Sequence, residues 1–189
     1  RKSKIKEDIE RFSIIRTVTA AERADIVVLM IDATEGVTEQ DAKIAGIAHE
    51  RGKGLIIAVN KWDAVEDKET GTMKEMTEKI KSTLSFCPYA EVIFISVLTG
   101  RGIDKVFNLI DIVNENQNMR IQTGTLNEIL TRALAMQETP QDKGKHLRIY
   151  YMTQVSVKPP TFVIFVNDKN LTHFSYTRYI ENNLRNTFG

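Results

Sequence analysis

Hydrophobic positions repeat in two rhythms along the first 120 residues. Residues 7–23 carry Ile9, Phe12, Ile15 and Val18 at helical spacing, and residues 25–31 then hold an unbroken apolar stretch from Ile26 to Ile31. A run of that length without polar interruption predicts a strand covered on both faces, as in parallel sheets. Helical spacing returns over 38–51 through Ala42, Ala45, Ile47 and Ala48, with Gly52 as its stop. Leu55-Ile56-Ile57-Ala58-Val59 is the next strand, 70–86 a helix and 92–95 a strand. Residues 103–116 form a further helix, with Val106, Phe107, Leu109, Ile110 and Val113 expected to face inward. The alternation predicts an α/β domain with a parallel sheet between helices, joined by right-handed β-α-β crossovers.

The pattern breaks between Met119 and Gly124. Residues 125–137 are helical, with Leu126, Ile129, Leu130, Ala133 and Leu134 as the apolar stripe, and a loop over 140–145 follows. Two strands, 146–157 and 161–166, flank the turn Lys158-Pro159-Pro160, whose prolines cannot donate to a ladder. A helix over 175–188 closes the series. The expected organisation is residues 1–119 as one α/β domain and 120–189 as a small α+β domain.

Composition narrows the class. The 189 residues carry a net charge of +1, which excludes a strongly basic nucleic-acid binder on charge alone. Residues 121–189 hold 8 Lys/Arg against 5 Asp/Glu, so the second part is mildly basic. One cysteine, Cys87, excludes an internal disulfide and fits a reducing, cytoplasmic setting, with burial as its expected role. No apolar stretch approaches the roughly 20 residues that cross a bilayer, so no membrane partner is expected. The chain opens on Arg1 rather than Met and reads as an excerpt of a longer protein.

The candidate chemistry sits where the strand 55–59 ends. Asn60-Lys61-Trp62-Asp63 leaves that strand, and 33 residues on from Asn60 to Ile93 a second apolar run leads into Ser96-Val97-Leu98-Thr99-Gly100. In open α/β sheets ligands bind outside the carboxyl ends of strands, where both loops fall. An N-K-x-D sequence here is the guanine-reading element of GTP-binding proteins. Guanine presents N1–H and N2–H2 as adjacent donors, which the Asp63 carboxylate can accept as a charge-assisted pair. Adenine presents an acceptor at N1 and leaves the carboxylate unpaired, at a cost of about 1–3 kcal/mol or more. Lys61 can lay its stem along the base with its ammonium near the ribose, Asn60 can bond the O6/N7 edge and tie the loops together, and backbone N–H groups around Val97 and Leu98 can donate to O6. Ser96 is expected to hold the second loop in shape, and Trp62, at the free position, to pack.

Five segments then carry a resemblance: Ala45-Gly46-Ile47-Ala48-His49-Glu50, Asn60-Lys61-Trp62-Asp63-Ala64-Val65, Gln154-Val155-Ser156-Val157-Lys158-Pro159-Pro160, Phe165-Val166-Asn167-Asp168 and His173-Phe174-Ser175-Tyr176. The chain resembles the bacterial tandem GTPases of the Der (EngA) family over essentially its whole length. The resemblance implies the later part of a second G domain, that is a partial P-loop GTPase-type sheet in a three-layer α/β/α arrangement, followed by most of a KH-like domain. It implies a GTP-hydrolysing assembly factor of the large (50S) ribosomal subunit, with GTP or GDP as ligand, rRNA as a further contact, and intramolecular packing of the KH-like domain on the preceding G domain. Mg2+ would be held by other parts of the parent, and Arg1–Lys6 would be the tail of a switch segment.

What the chain lacks bears equally on function. It contains no G-x-x-x-x-G-K-[ST] phosphate loop and no D-x-x-G, so this stretch by itself is expected neither to hydrolyse GTP nor to hold the phosphates, and no catalytic residue is assigned in it. Residues 121–189 hold no G-x-x-G loop, which argues against the usual KH mode of RNA binding. Lys143, Lys145, Arg148, Lys158, Lys169, Arg178 and Arg185 could meet phosphates, although scattered charges are most often solvated. Spacing assigns most of Tyr150, Tyr151, Phe162, Phe165, Phe174, Tyr176 and Tyr179 to core packing. A scaffold or RNA-binding module with a degenerate G domain is the competing class. A closing strand is expected beyond Gly189.

Overall fold

The computed structural model describes residues 15–142 and 144–188. The expected switch tail Arg1–Lys6, the start of the first helix, Lys143 and Gly189 lie outside the described residues. The chain divides into two compact units, at Asn114/Glu115.

In the first unit, helical residues 15–23 (α1) precede β1 (Ile26–Asp32), α2 (Glu39–Glu50), β2 (Gly54–Asn60), a 3-10 turn at Trp62–Ala64, α3 (Thr72–Thr83), β3 (Glu91–Phe94) and α4 (Ile103–Asn118), whose last four residues fall in the second unit. The strands pair in parallel in the order β1-β2-β3, with Asp32 opposite Asn60 and Val59 opposite Phe94. β2 is buried from Gly54 to Val59, and its period of two divides it between two cores. Leu55, Ile57 and Val59 join Leu29, Ile31, Ala45, Ala48, Ile80 and Leu84, which puts α2 and α3 on that face. Ile56 and Ala58 join Ile93 and Ile95, with Val106, Leu109, Ile110 and Val113 of α4 against the other. Helices, sheet and helix thus form three layers.

Two expectations need correction here. Phe107 is 63% exposed, because on α4 it falls a quarter-turn off the stripe formed by Val106, Leu109, Ile110 and Val113. Val28 and Met30 on β1 are also exposed, so among the described residues coverage on both faces holds for β2, which is paired on both sides, and not for β1. α2 starts on a capping box in which Thr38 Oγ1 accepts from Asp41 N–H (3.2 Å) and Asp41 Oδ2 accepts from Thr38 N–H (2.9 Å). It stops at Gly52, whose φ of 64° continues the chain in the left-handed region.

The second unit contains α5 (Thr123–Met136), a two-residue ribbon β4 (Gln141–Asp142) with β5 (Lys145–His146), an antiparallel pair β6 (Ile149–Val157) and β7 (Pro160–Val166), a 3-10 turn at Lys169–Leu171 and α6 (Phe174–Phe188). The ribbon replaces the expected loop over 140–145 and divides the expected strand 146–157, since Leu147 turns into the core between β5 and β6. Met152, Phe162, Ile164 and Val166 pack inward on Leu126, Ile129, Leu130, Tyr176, Ile180 and Leu184 of the two helices. The opposite face holds Tyr151 stacked on Phe165, ring centroids 4.2 Å apart. Tyr150, Tyr151, Phe165 and Phe174 are exposed, so core packing accounts for Phe162, Tyr176 and Tyr179 only; alternation along the strands carries Tyr151 and Phe165 to the uncovered side.

Polar side chains close this unit. Asn127 of α5 brackets Met152 of β6, accepting from its N–H (2.9 Å) and donating to its carbonyl (3.0 Å). Buried Gln154 does the same for the segment entering α5, accepting from Ile121 N–H (2.8 Å) and donating to Met119 O (3.1 Å). Tyr176 donates to Gln137 O, and burial pushes its phenol pKa up, which keeps it a neutral donor.

Candidate functional site

The site is assembled at the carboxyl ends of the three parallel strands. Because β2 and β3 run side by side, their exits meet: Ile95 N–H donates to Val59 O (2.8 Å) and Trp62 N–H donates to Ile95 O (3.1 Å). Asn60 then bridges the two loops, its Oδ1 accepting the Val97 N–H at 3.0 Å. The structure therefore brings Asn60, Lys61, Trp62 and Asp63 beside Ser96, Val97 and Leu98, although 33 residues or more separate the two groups in sequence.

Each residue contributes differently. Trp62 is 4% exposed, edge-on to Phe94 at 4.6 Å, and Lys68 lies over its ring, so it anchors the loop from below. Ser96 is buried and its Oγ accepts from Thr99 N–H (3.1 Å), while its own N–H donates to Arg101 O (3.0 Å). That small turn depends on Gly102, where φ is 80° and an added Cβ would lie 2.8 Å from Phe94 O. Val97 and Leu98 project outward, Leu98 with 86% of its surface exposed. Asp63 is exposed in the 3-10 turn, and among the described residues its carboxylate takes no hydrogen bond or ion pair.

Two details differ from the sequence reading. The Val97 N–H, expected as a donor to a base carbonyl, is engaged by Asn60, while the Leu98 N–H makes no hydrogen bond among the described residues. The Lys61 ammonium, expected near a ribose, is paired with the Asp32 carboxylate, because the β1–β2 register sets Asp32 opposite Asn60 and makes it the neighbouring counter-charge. Lys61 itself is held in the left-handed region, with φ 60° and ψ 32°. Bonding to Lys61, and then to Thr34, holds the Asp32 carboxyl down at about 2; pairing pushes Lys61 up. For a lowered carboxylate the pairing is complete above the ordinary value near 4 and is lost as pH falls through about 2. Asp32 belongs to neither loop motif, and its signal in the sequence is its place as the last residue of a strand parallel to the one ending in Asn60.

The arrangement presents, at the strand ends, one carboxylate without a partner among the described residues, one free backbone N–H and an exposed lysine side chain. That set suits a flat heterocycle with adjacent donors and a neighbouring carbonyl. Among the described residues no group of three or more His, Cys, Asp or Glu side chains is placed to hold a metal ion.

Comparison with known sequences bears on the whole chain. Residues 11–117 match the family described as the elongation factor Tu GTP binding domain, and residues 120–189 match the KH-domain-like C-terminal family of EngA bacterial GTPase enzymes. GTPase Der from Agathobacter rectalis is 71% identical over all 189 residues of this chain and 43% of its own length. GTPase Der from Lachnospira eligens is 70% identical over the same shares. The chain thus spans less than half the length of these relatives. A crystal structure of Era, in complex with MgGDPNP and nucleotides 1506–1542 of 16S ribosomal RNA, superposes with a TM-score of 0.42 at 20% identity, covering 90% of this chain and 62% of that one.

Proposed function

The chain belongs to the elongation factor Tu type of GTP-binding domain and, within it, to the Der (EngA) GTPases, and we propose that it supplies the guanine-reading half of a G domain joined to a KH-like interaction domain. The observation that carries this reading is the 3.0 Å bond from Val97 N–H to Asn60 Oδ1, which locks two distant loops together while Asp63 stays unpaired at their edge. In the proposed complex Asp63 accepts guanine N1–H and N2–H2, the Leu98 N–H meets O6, and the Lys61 stem lies along the base. Trp62 and Ser96 act through the loops they hold.

The parent protein then binds GTP and GDP and hydrolyses GTP. The phosphates and the Mg2+ that screens them are assigned to sequence outside this chain, because the phosphate-loop pattern G-x-x-x-x-G-K-[ST] that cradles them is not among its 189 residues. We assign it, on its family, to cytoplasmic assembly of the large ribosomal subunit, with nucleotide state changing the surfaces that the KH-like domain offers to the subunit, to rRNA and to the preceding G domain.

Titration of the full-length protein with fluorescent GDP and ADP tests the reading. Preference for GDP by about 100-fold or more is expected, since an adenine edge would strand the Asp63 carboxylate against an acceptor. Equal affinity for the two would overturn it and favour the scaffold class. Cosedimentation with 50S particles, expected with a GTP analogue and weaker with GDP, tests the ribosomal assignment; no nucleotide dependence would remove it.

A further inference from the structure

Asp32 lies outside every motif considered above, yet it is tied to the candidate site at three points. Its Oδ1 accepts from Thr34 N–H (2.9 Å) and from Thr34 Oγ1 (2.7 Å), which fixes the carboxylate's orientation at the end of β1. Its Oδ2 is left to receive the Lys61 ammonium. Ala33 N–H donates to Asn60 O (2.9 Å), so the backbones that carry the two charges are also joined. The exposures are unequal: 20% for the Asp32 side chain and 60% for that of Lys61. The pair is therefore anchored on its acidic side, with the lysine stem lying outward.

We propose that Asp32 is a positioning residue for the purine site, holding Lys61 by its ammonium so that the methylene stem stands as a fixed shelf for the face of the base. This rests on the guanine reading given above. An exposed ion pair adds little to fold stability, so a selective effect on ligand binding is the signature of this role. A lysine free in solution samples many rotamers, and ordering it on binding weakens affinity. Here both ends are held beforehand, the backbone in the left-handed region and the ammonium on a carboxylate that Thr34 has already oriented. Binding then begins from an ordered side chain.

The test uses full-length protein and fluorescent GDP. Asp32→Asn retains an oxygen for both Thr34 bonds and replaces the oxygen that meets Lys61 by an NH2 group, which removes the charge and the acceptor together. It is expected to weaken GDP binding about 2- to 10-fold, the effect of leaving one long side chain to be ordered on binding, with an unchanged melting temperature. In a Lys61→Met background the same substitution is expected to have no further effect, because Asp32 acts through Lys61. Thr34→Ala, which frees the carboxylate but keeps its charge, is expected to give a smaller loss of the same sign. Unchanged affinity in Asp32→Asn, or a loss that adds in full to that of Lys61→Met, overturns the proposal. Asp63→Asn, measured in parallel, separates the two levels of inference. If it weakens GDP binding while Asp32→Asn does not, the shelf fails and the guanine site stands; if neither weakens it, both fail.

Discussion

Strands β2 and β6 carry similar numbers of apolar residues into very different surroundings. β2 is buried along both faces, between α2 and α3 on one side and α4 on the other, and its residues read as one continuous apolar run. β6 is covered on one face alone, so buried Met152 and Gln154 alternate with exposed Tyr151 and Val155. A strand held from both sides has little freedom at its end, which is why the exit of β2 can carry a loop that must keep a carboxylate in one place. The hairpin of the second unit offers a broad outer face instead, headed by the stacked Tyr151 and Phe165.

Substitutions can break this contrast, beginning with the cores. Ile57→Ala and Met152→Ala should each cost about 2–5 kcal/mol locally. Only Ile57→Ala should also weaken GDP binding, because only β2 leads into the site. Segment-resolved hydrogen exchange and GDP titration on the same samples would check the pair, and an equal loss of affinity in both would erase the distinction. Gln154→Leu should cost about 1–3 kcal/mol by stranding Ile121 N–H and Met119 O, with faster exchange around residues 119–123 and none around β2. Thr38→Ala removes the capping box of α2 and should cost about 1 kcal/mol, seen as faster exchange in that helix. Val155→Thr, on the open face of the hairpin, should change stability by less than about 0.5 kcal/mol; a larger thermal shift would mean that this face is covered.

The sequence carried the architecture well where the pattern had one meaning. Continuous runs gave β1 and β2, helical stripes gave α2, α4 and α5, and Gly52 marked a helix end. It failed where neighbours decide. The period that placed Val106 and Ile110 inward cannot by itself reject Phe107, and an apolar run cannot tell a central strand from an edge one, which only the order β1-β2-β3 reveals. The β4–β5 ribbon was missed because four largely polar residues carry no periodicity. For the site, the motif located both loops, and the structure joins them through Asn60. The engagement of Val97 N–H and the partnership of Lys61 with Asp32 depend on register between parallel strands, information spread over residues far apart in the chain.

The central claim is that the Asp63 carboxylate reads paired donors on a purine. Its most direct test is the ratio of dissociation constants for GDP and XDP, measured for the full-length protein with Asp63 and with Asp63→Asn. An asparagine can accept N1–H and donate to the C2 carbonyl of xanthine, so the preference should invert, from GDP in the parent to XDP in the variant. A variant that keeps the parent's preference for GDP would contradict the account.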